Sequence, residues 1–469
     1  MHPSLMKSIP VAVPSAGKFT RDLFWQAIPA WRDVSENTFC DSIWQEQNAI
    51  HNSFTLKKIV GDLVSRDFIE DVEAGLLRAP MAVRLSPYLV GLINWSNPYD
   101  DPLRRQFLPV GSALEPDHPF VTLDPVNELG DSPTPGLTHR YHDRALFLVT
   151  DVCPVYCRFC TRSYAVGTDT PGVTKVSLGV NDNRWEAALR YITERVELED
   201  IIVSGGDVYR LRPEHIQTIG NRLLNIDHVR RIRFATKGPA VQPMKILTDT
   251  AWTNALSSVV ESGRKLRKEV SVHTHFNHPR EITGITEDAM HLLFDRGVIV
   301  RNLSVIMRGV NDDVATHSKL VRCLTHLNIR PYYAYISDLV SGIEDLRTSV
   351  ADTLMLEKWV RGSISGHNTP TFVLDAPGGG GKRDIHSYEH YDRETGISVY
   401  SAPSVKPGAL FMYGDPLRTL APEIRQAWTD PVQRSEMIRV AIEAAGGMKR
   451  SATTNNTAEC KHQPGVQNH

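Results

Sequence analysis

The sequence lacks an excess of either charge, and it lacks long apolar runs. Its 469 residues include 52 lysines and arginines against 54 aspartates and glutamates, a formal net charge of −2 at pH 7. Such a balance gives no electrostatic basis for binding nucleic acid or an anionic membrane. No apolar run reaches membrane-spanning length, and no charged-then-apolar signal opens the chain. We therefore expect a soluble, cytoplasmic protein that binds neither nucleic acid nor a membrane.

Cysteine is also scarce, and it is unevenly distributed. Three of the six cysteines fall within eight residues, and the others are scattered at Cys40, Cys323 and Cys460. Six cysteines in so long a chain do not form a disulfide framework. The clustered three, Cys153, Cys157 and Cys160, are better explained as metal ligands in a reducing compartment.

The pattern of apolar residues changes along the chain. Residues 24–90 have helical spacing, whereas residues 95–138 are rich in Pro, Asp and Gly and predict an extended connector. From Arg144 to about residue 340, six short apolar segments alternate with helical ones, which predicts an α/β fold with a partial (β/α)6 barrel. We divide the chain into an N-terminal helical region with connector, a barrel, a C-terminal region and a disordered tail: 1–138, 139–370, 371–450 and 451–469.

The clustered cysteines have the spacing CxxxCxxC and follow a predicted strand, Ala145–Thr150. Thiolates this close on a loop suit a soft metal centre. Ferredoxin-type clusters take four cysteine ligands, so three would leave one iron of a [4Fe–4S] cluster open. A structural zinc site with a distant fourth ligand, or a chance grouping, is the alternative.

Two glycine-containing segments follow predicted strands. In Ser204-Gly205-Gly206-Asp207 the glycines would let the backbone approach a ligand closely, although a tight turn explains them equally well. The second runs from Asp375 through four glycines to Lys382, and Arg383 after the lysine breaks the P-loop pattern. It is either a flexible linker or a loop presenting Lys382, whose amine can form a Schiff base with pyridoxal 5′-phosphate (PLP).

Basic residues precede the first strand of the barrel. The segment His139–Arg144 contains Arg140, Tyr141 and Arg144, which could bind a phosphate group. The alternative is a solvated charged turn.

Taken together and in this order, these motifs resemble the lysine 2,3-aminomutase family of radical S-adenosylmethionine (SAM) enzymes. The resemblance covers about residues 95–385. It rests on the segments Asp131–Arg144, Cys153–Arg162, Ser204–Asp207, Thr274–Pro279, Arg308–Asp312, Arg330–Tyr333 and Asp375–Lys382.

The resemblance implies a radical SAM partial barrel with an N-terminal helical extension and a C-terminal PLP-lysine segment. The cysteines would hold a [4Fe–4S] cluster whose open iron binds SAM, and Lys382 would carry PLP. The other cofactor contacts would be Ser204, Gly205, Gly206, Asp207 and His275 for SAM, and Arg140, Tyr141 and Arg144 for the PLP phosphate. Arg162 would bind the substrate α-carboxylate, and Asp338 and Asp375 its distal ammonium. Ordinary alternatives are a helix-start arginine for Arg162, a structural histidine for His275 and a helix N-cap for Asp338.

The implied reaction moves the α-amino group of a cationic amino acid to Cβ, with L-lysine to β-lysine as the first expectation. Arginine or ornithine would suit the same two aspartates, in a branch serving secondary metabolism, whereas glutamate would be repelled. A family member without aminomutase activity, or a non-catalytic iron–sulfur regulator, is a further alternative. The reaction would need an electron donor such as flavodoxin or ferredoxin.

The sequence also departs from the family pattern. Phe159, Lys237 and Leu303 stand where the family typically has His, Arg and Gln. The family's C-terminal zinc cysteines are missing, because only Cys460 follows Lys382. We expect a homo-oligomer, but the zinc-linked subunit arrangement is in doubt.

Overall fold

The computed structural model describes residues 16–446. The predicted disordered tail at 451–469, with Cys460, lies outside the described residues. Within them, no helix is both long and apolar enough to cross a membrane.

Short helices form the N-terminal region, as the helical spacing predicted. Polar side chains cap them: Ser65, for example, accepts the N–H of Phe68 at the start of the helix Arg66–Arg78. Trp25 stacks on Phe39 with ring centroids 4.0 Å apart, which anchors the first turns to the core. The helices are α1 Glu36–Phe39, α2 Ser42–Gln47, α3 Ser53–Val60, α4 Arg66–Arg78, α5 Pro87–Leu92 and α6 Pro102–Phe107. Helix α6 lies within the predicted extended connector, where Asp101 caps it and Pro102 occupies its first turn.

A nine-stranded sheet forms the centre of the molecule, and its strands follow one another in chain order. The seven middle strands run parallel, and the first and last strands pair antiparallel at the two ends. The strands are β1 Leu137–Tyr141, β2 Arg144–Thr150, β3 Asp200–Gly205, β4 Arg231–Ala235, β5 Glu269–Thr274, β6 Ile299–Ile306, β7 Ile329–Ile336, β8 Thr371–Ala376 and β9 Gly381–Asp384. Because the order begins at β1 and ends at β9, the sheet is an open barrel, and the predicted partial barrel is confirmed.

Helices connect the parallel strands. In the helix Pro213–Leu224, Ile216, Ile219 and Leu223 are buried at spacings of three and four residues, which places one apolar face towards the core. The helices are α7 Asp182–Glu194, α8 Pro213–Leu224, α9 Gly238–Val241, α10 Met244–Thr248, α11 Thr250–Lys265, α12 Gly284–Asp295, α13 Val314–His326 and α14 Val350–Ser363.

A small antiparallel sheet with two helices completes the described chain and was not predicted. Its elements are β10 Tyr388–Asp392, β11 Ile397–Ser401, β12 Leu410–Gly414, α15 Pro422–Thr429 and α16 Pro431–Ala444. The fully buried Arg347 ties it to the barrel by pairing with Glu344 and donating to the carbonyl of Gly414. The nine-stranded sheet includes residues on both sides of positions 138 and 370, and the four-part division of the chain stays a prediction.

Candidate active site

One cavity of about 350 Å³ gathers all the residues predicted to bind cofactors or substrate. It is lined by the ends of the barrel strands, by the loop after β2 and by the β8–β9 hairpin. The predicted residues at its wall are Arg140, Tyr141, Arg144, Cys153, Cys157, Cys160, Arg162, Ser204, Gly205, Gly206, Asp207, His275, Asp338, Asp375 and Lys382.

The three cysteines lie on the loop that follows β2. Each is half-buried and none forms a disulfide. Burial raises the pKa of all three thiols, that of Cys157 to about 12, so without a cation they stay protonated. Soft sulfur donors grouped on one cavity wall fit an iron–sulfur cluster, which would bind them as thiolates. Within residues 16–446, no three His, Cys, Asp or Glu side chains converge closely enough to hold a single metal ion.

The glycines at the end of β3 pack against the start of the cysteine loop. A Cβ on Gly205, whose φ is +118°, would overlap the carbonyl oxygen of Thr150, and one on Gly206 would lie 2.6 Å from the Val152 nitrogen. The glycines therefore allow close packing of the β3 end against the end of β2 and the residues after it, as well as close approach to a ligand in the cavity. The carboxylate of Asp207 accepts the N–H groups of Tyr209 at 2.8 Å and Lys237 at 2.7 Å. It fixes the turn after β3.

Two histidines bring unpartnered ring nitrogens to the cavity. Nε2 of His275 and Nε2 of His273 are buried without a hydrogen-bond partner among the described residues. Burial lowers the pKa of His275 well below its usual value and that of His273 to about 3, so both rings are neutral. An orphaned polar atom facing a cavity fits a polar ligand such as SAM.

Lys382 lies on strand β9, not on the predicted loop. It stands opposite Asp375 in the β8–β9 ladder, and its Nζ donates to Oδ2 of Asp375 at 2.9 Å. Burial disfavours the lysine charge, but the Asp375 carboxylate, together with Tyr335 and Tyr141, outweighs burial and raises the pKa of Lys382 well above its usual value. A cavity lysine near a strand end suits a carbonyl cofactor such as PLP.

The glycine run forms the turn of this hairpin. Gly378, Gly379 and Gly381 have φ values of +81°, +93° and +74°, which other residues rarely adopt. Gly378 N–H donates to the Pro125 carbonyl at 2.8 Å, so the segment is an ordered turn and the linker alternative is wrong.

The residues predicted to bind phosphate lie on β1 and at the start of β2. The Arg140 side chain is only 6% exposed and pairs with Asp131 at 2.7 Å, so it is not part of a solvated turn. Tyr141 Oη accepts the backbone N–H of Lys382 at 2.7 Å. Arg144 lies 3.9 Å over the Tyr141 ring, and within residues 16–446 its side chain has no hydrogen bond or ion pair. Arg144 is therefore the cation that remains available to a phosphate.

Glu128 is a site residue that the sequence did not indicate. Its carboxylate accepts two bonds from Arg162, from Nε at 2.9 Å and from Nη2 at 2.8 Å. Tyr164 Oη also donates to it, at 3.0 Å. This two-point pairing occupies one edge of the guanidinium and leaves Nη1 to bind a second carboxylate.

Asp338 lies on the loop after β7 and accepts the hydroxyl of Thr161 at 2.6 Å. Burial and the nearby Asp375 carboxylate raise the pKa of Asp338 to about 7. Thr161, which lies between Cys160 and Arg162, thus links the cysteine loop to Asp338, a carboxylate predicted to bind the substrate. Its partner is 177 positions away, and no local pattern could reveal it.

Alternate residues of the barrel strands line the cavity. The pairs are Ile202 and Ser204, Arg233 and Ala235, His273 and His275 (the latter directly after β5), Leu303 and Val305, and Tyr333 and Tyr335. Every second residue of a barrel strand points inward, so this period of two was a usable signal for the missed residues. The cavity is also lined by three residues at which the sequence differs from the family pattern, Phe159, Lys237 and Leu303.

An open parallel barrel whose first parallel strand leads into a CxxxCxxC loop on the cavity wall defines a radical SAM enzyme. The L-lysine 2,3-aminomutase of Acetoanaerobium sticklandii is 39% identical over 357 residues, which cover 75% of this chain and 80% of that protein. The chain belongs to the lysine 2,3-aminomutase family, and it is an isomerase, a radical SAM 2,3-aminomutase.

Two further relatives and one solved structure give weaker matches. The L-lysine 2,3-aminomutase of Clostridium subterminale is 37% identical, covering 76% of this chain and 80% of that protein. The glutamate 2,3-aminomutase of Clostridioides difficile is 32% identical, covering 73% and 75%. Streptococcus suis SuiB bound to S-adenosylmethionine superimposes with a TM-score of 0.37 at 13% identity over 50% of each chain, too weak to support the assignment. No family model matches the sequence.

Proposed function

We propose that the protein moves the α-amino group of a free cationic amino acid to Cβ, with L-lysine as substrate and β-lysine as product. The observation that carries this proposal is that the three cysteines, Lys382 and the two aspartates line a single cavity. The names of the A. sticklandii and C. subterminale relatives support lysine.

Three groups would supply the chemistry. Cys153, Cys157 and Cys160 would hold a [4Fe–4S] cluster, His275 and the β3 glycine turn would contact SAM, and Lys382 would hold PLP with Arg144 on its phosphate. When bound, the cluster and SAM supply a hydrogen-abstracting radical, and PLP supplies the π system through which nitrogen migrates. A one-electron donor is required, and flavodoxin or ferredoxin fits that need.

The substrate's ends are recognised by opposite charges. Arg162, held by Glu128, presents Nη1 to the α-carboxylate. Asp338 and Asp375 would face the other end, where a carboxylate side chain would be repelled. This argues against glutamate, the substrate named for the C. difficile relative. Arginine and ornithine carry the same charge as lysine, so they form the second candidate class.

Apolar and aromatic walls would protect the reaction from water. Phe159, Leu303 and Val305 face the cavity, together with the rings of Tyr333 and Tyr335. A radical on carbon survives only where competing hydrogen donors and water are excluded, so the protein's main tasks are positioning and exclusion.

The test is an anaerobic assay of the protein reconstituted with iron, sulfide, SAM and PLP and then reduced. Lysine, arginine, ornithine and glutamate are offered separately, with 2-aminohexanoate as an uncharged control of lysine's chain length. Mass spectrometry of derivatised products should find an isomer of unchanged mass from lysine and none from glutamate. Isomerisation of glutamate, or release of 5′-deoxyadenosine with no isomer from any cationic amino acid, would refute the proposal.

A further inference from the structure

We infer that Asn302 and Asn311 are positioning residues for the SAM site: they hold the backbone of residues 275–278 so that the His275 ring faces the cavity. The inference rests on the proposed function, in which His275 contacts SAM, and deepens it. It gives a task to residues of the family motifs that the proposed function does not use.

The segment 275–278 leaves the end of β5 and leads into the short helical turn Pro279–Glu281. Phe276 and Asn277 are fully buried, so their backbone N–H and C=O groups need partners within the protein. Side chains supply these partners, because the segment belongs to neither a helix nor a strand.

Asn302 is the partner of Phe276. It stands opposite Thr274, the last residue of β5, in the ladder between β5 and β6. Its Oδ1 accepts the N–H of Phe276 at 2.7 Å, and its Nδ2 donates to the Phe276 carbonyl at 3.1 Å. One side chain thus continues the strand pairing beyond the last residue of β5.

Asn311 and Glu281 hold the next residue. Asn311 Nδ2 donates to the Asn277 carbonyl at 2.8 Å, and the Glu281 carboxylate accepts the Asn277 N–H at 2.7 Å. The side chain of Asn277 in turn accepts the N–H of Val305 and donates to Oε1 of Gln106, both at 2.9 Å. Every polar group of Asn277 has a partner, and such a fully satisfied buried network makes the segment rigid.

The same network fixes the segment relative to the cysteine loop. The Gln106 carbonyl accepts the N–H of Arg158, a residue of that loop, at 2.9 Å. The Phe159 ring, also on the loop, lies with its centroid 5.6 Å from that of the His275 ring. A ligand that touches both the loop and His275 would therefore meet two preformed contacts, which lowers the entropic cost of binding.

The two asparagines can act on a cavity ligand only through His275. Asn302 is 2% exposed and Asn311 is fully buried, and neither lines the cavity, whereas His275 does. Lys237 Nζ also donates to the His275 carbonyl, at 2.7 Å. However, Lys237 lines the cavity itself, so its substitution would not separate positioning from direct contact.

The first experiment measures amide hydrogen exchange by mass spectrometry on the full-length protein without cofactors. In Asn302→Leu, the peptide that contains residues 275–278 should exchange about tenfold faster or more, because Phe276 loses both partners. Ser304→Ala is the control: Ser304 lies on the same strand, and its hydroxyl donates at 3.5 Å to the Tyr333 carbonyl on β7, away from the segment. This variant should leave the exchange unchanged. If Asn302→Leu does not fold, Asn302→Ala repeats the measurement.

The second experiment measures SAM binding by anaerobic calorimetry on the protein loaded with an oxidised cluster, so that no turnover occurs. His275→Ala should raise the Kd for SAM about tenfold and Asn302→Leu about fivefold, since each weakens one polar contact. The double variant should show about tenfold, because Asn302 acts through the ring. Independent effects would instead multiply to about fiftyfold. Asn302→Leu should keep the PLP absorption band, which a general loss of structure would not spare.

Unchanged exchange in Asn302→Leu, multiplied effects in the double variant, or joint loss of SAM affinity and the PLP band would each overturn the inference. Failure of the unchanged protein to bind SAM would instead refute the proposed function. The exchange measurement uses no cofactor, so it still tests the hold on the segment in that case.

Discussion

The two sides of the cavity hold their chemical groups by different means. On the β2–β3 side, close backbone packing of Gly205 and Gly206 against β2 fixes the cysteine loop. On the β8–β9 side, charge holds Lys382, through Asp375 in the facing strand and Arg140 beside it. The first side should therefore be sensitive to added volume and the second to lost charge and to pH.

The largest effect should come from removing the cofactor site on one side of the cavity while the site on the other side stays intact. Lys382→Ala should abolish the PLP absorption band and retain iron, whereas Cys157→Ser should lose the cluster and retain the band. Each should lower aminomutase activity by about 10⁴-fold or more, because neither group has a substitute. Iron analysis and absorption spectra check this, and loss of both groups in either variant would contradict the independence of the two sides.

Asp338 should make substrate binding depend on pH. Its raised pKa of about 7 means that the carboxylate is charged above that pH and protonated below it, so attraction for a cation is present above and lost below. The KM for lysine should rise about tenfold for each pH unit below 7. Asp338→Asn, already neutral, should remove this dependence, and the same slope in that variant would assign it to another group.

Added volume should disrupt the cysteine side. In Gly206→Ala the new Cβ would lie 2.6 Å from the backbone of Val152, so we expect a loss of about 1–3 kcal/mol in unfolding free energy. Gly362→Ala on helix α14 is the control, because its new Cβ would meet no neighbouring atom within 4 Å and helix propensity favours alanine. Chemical denaturation of both variants gives their unfolding free energies. Equal values would show that the turn after β3 adjusts to the added methyl group at little cost.

Glu128→Gln should have the smallest effect. The amide keeps one acceptor for Arg162 but loses the charge, so the guanidinium is held less firmly. The KM for lysine should rise about tenfold with kcat nearly unchanged. Tyr164→Phe, which removes only a donor to Glu128, should change KM less. A fall in kcat at constant KM would show that Glu128 acts elsewhere.

The same comparison explains what the sequence could predict. Strands β2 to β8 were found because buried parallel strands are short continuous apolar runs, such as Ala145–Thr150. Strands β1 and β9 were missed because they are polar and form through pairing with a neighbour. The motifs Cys153–Cys160 and Ser204–Asp207 could also be recognised, because the residues of each motif are close together in the sequence.

Residues whose role depends on a distant partner were not visible. Glu128 lies 34 positions from Arg162, and nothing in its own segment marks it as a ligand. Lys382 lies on a strand because the glycine run before it forms a hairpin turn. In the sequence alone, that run is equally consistent with a flexible linker. The small sheet β10–β12 was missed since segments such as Tyr388–Asp392 are largely polar.

The barrel is open between its first and last strands, and a bound cofactor would add contacts across this gap. Strands β1 and β9 end the sheet, and the contacts across the gap described above come from two β1 side chains: Tyr141 accepts the backbone N–H of Lys382 on β9, and Arg140 lies beside Asp375 on β8. If PLP is held by Lys382 on β9 and by Arg144 on β2, as proposed, it would add bonds across this gap. At a free concentration one hundred times its Kd, a ligand that binds only the folded state adds about 2.7 kcal/mol of stability. On that proposal, the stability of the folded barrel would depend on the supply of cofactor as well as on the sequence.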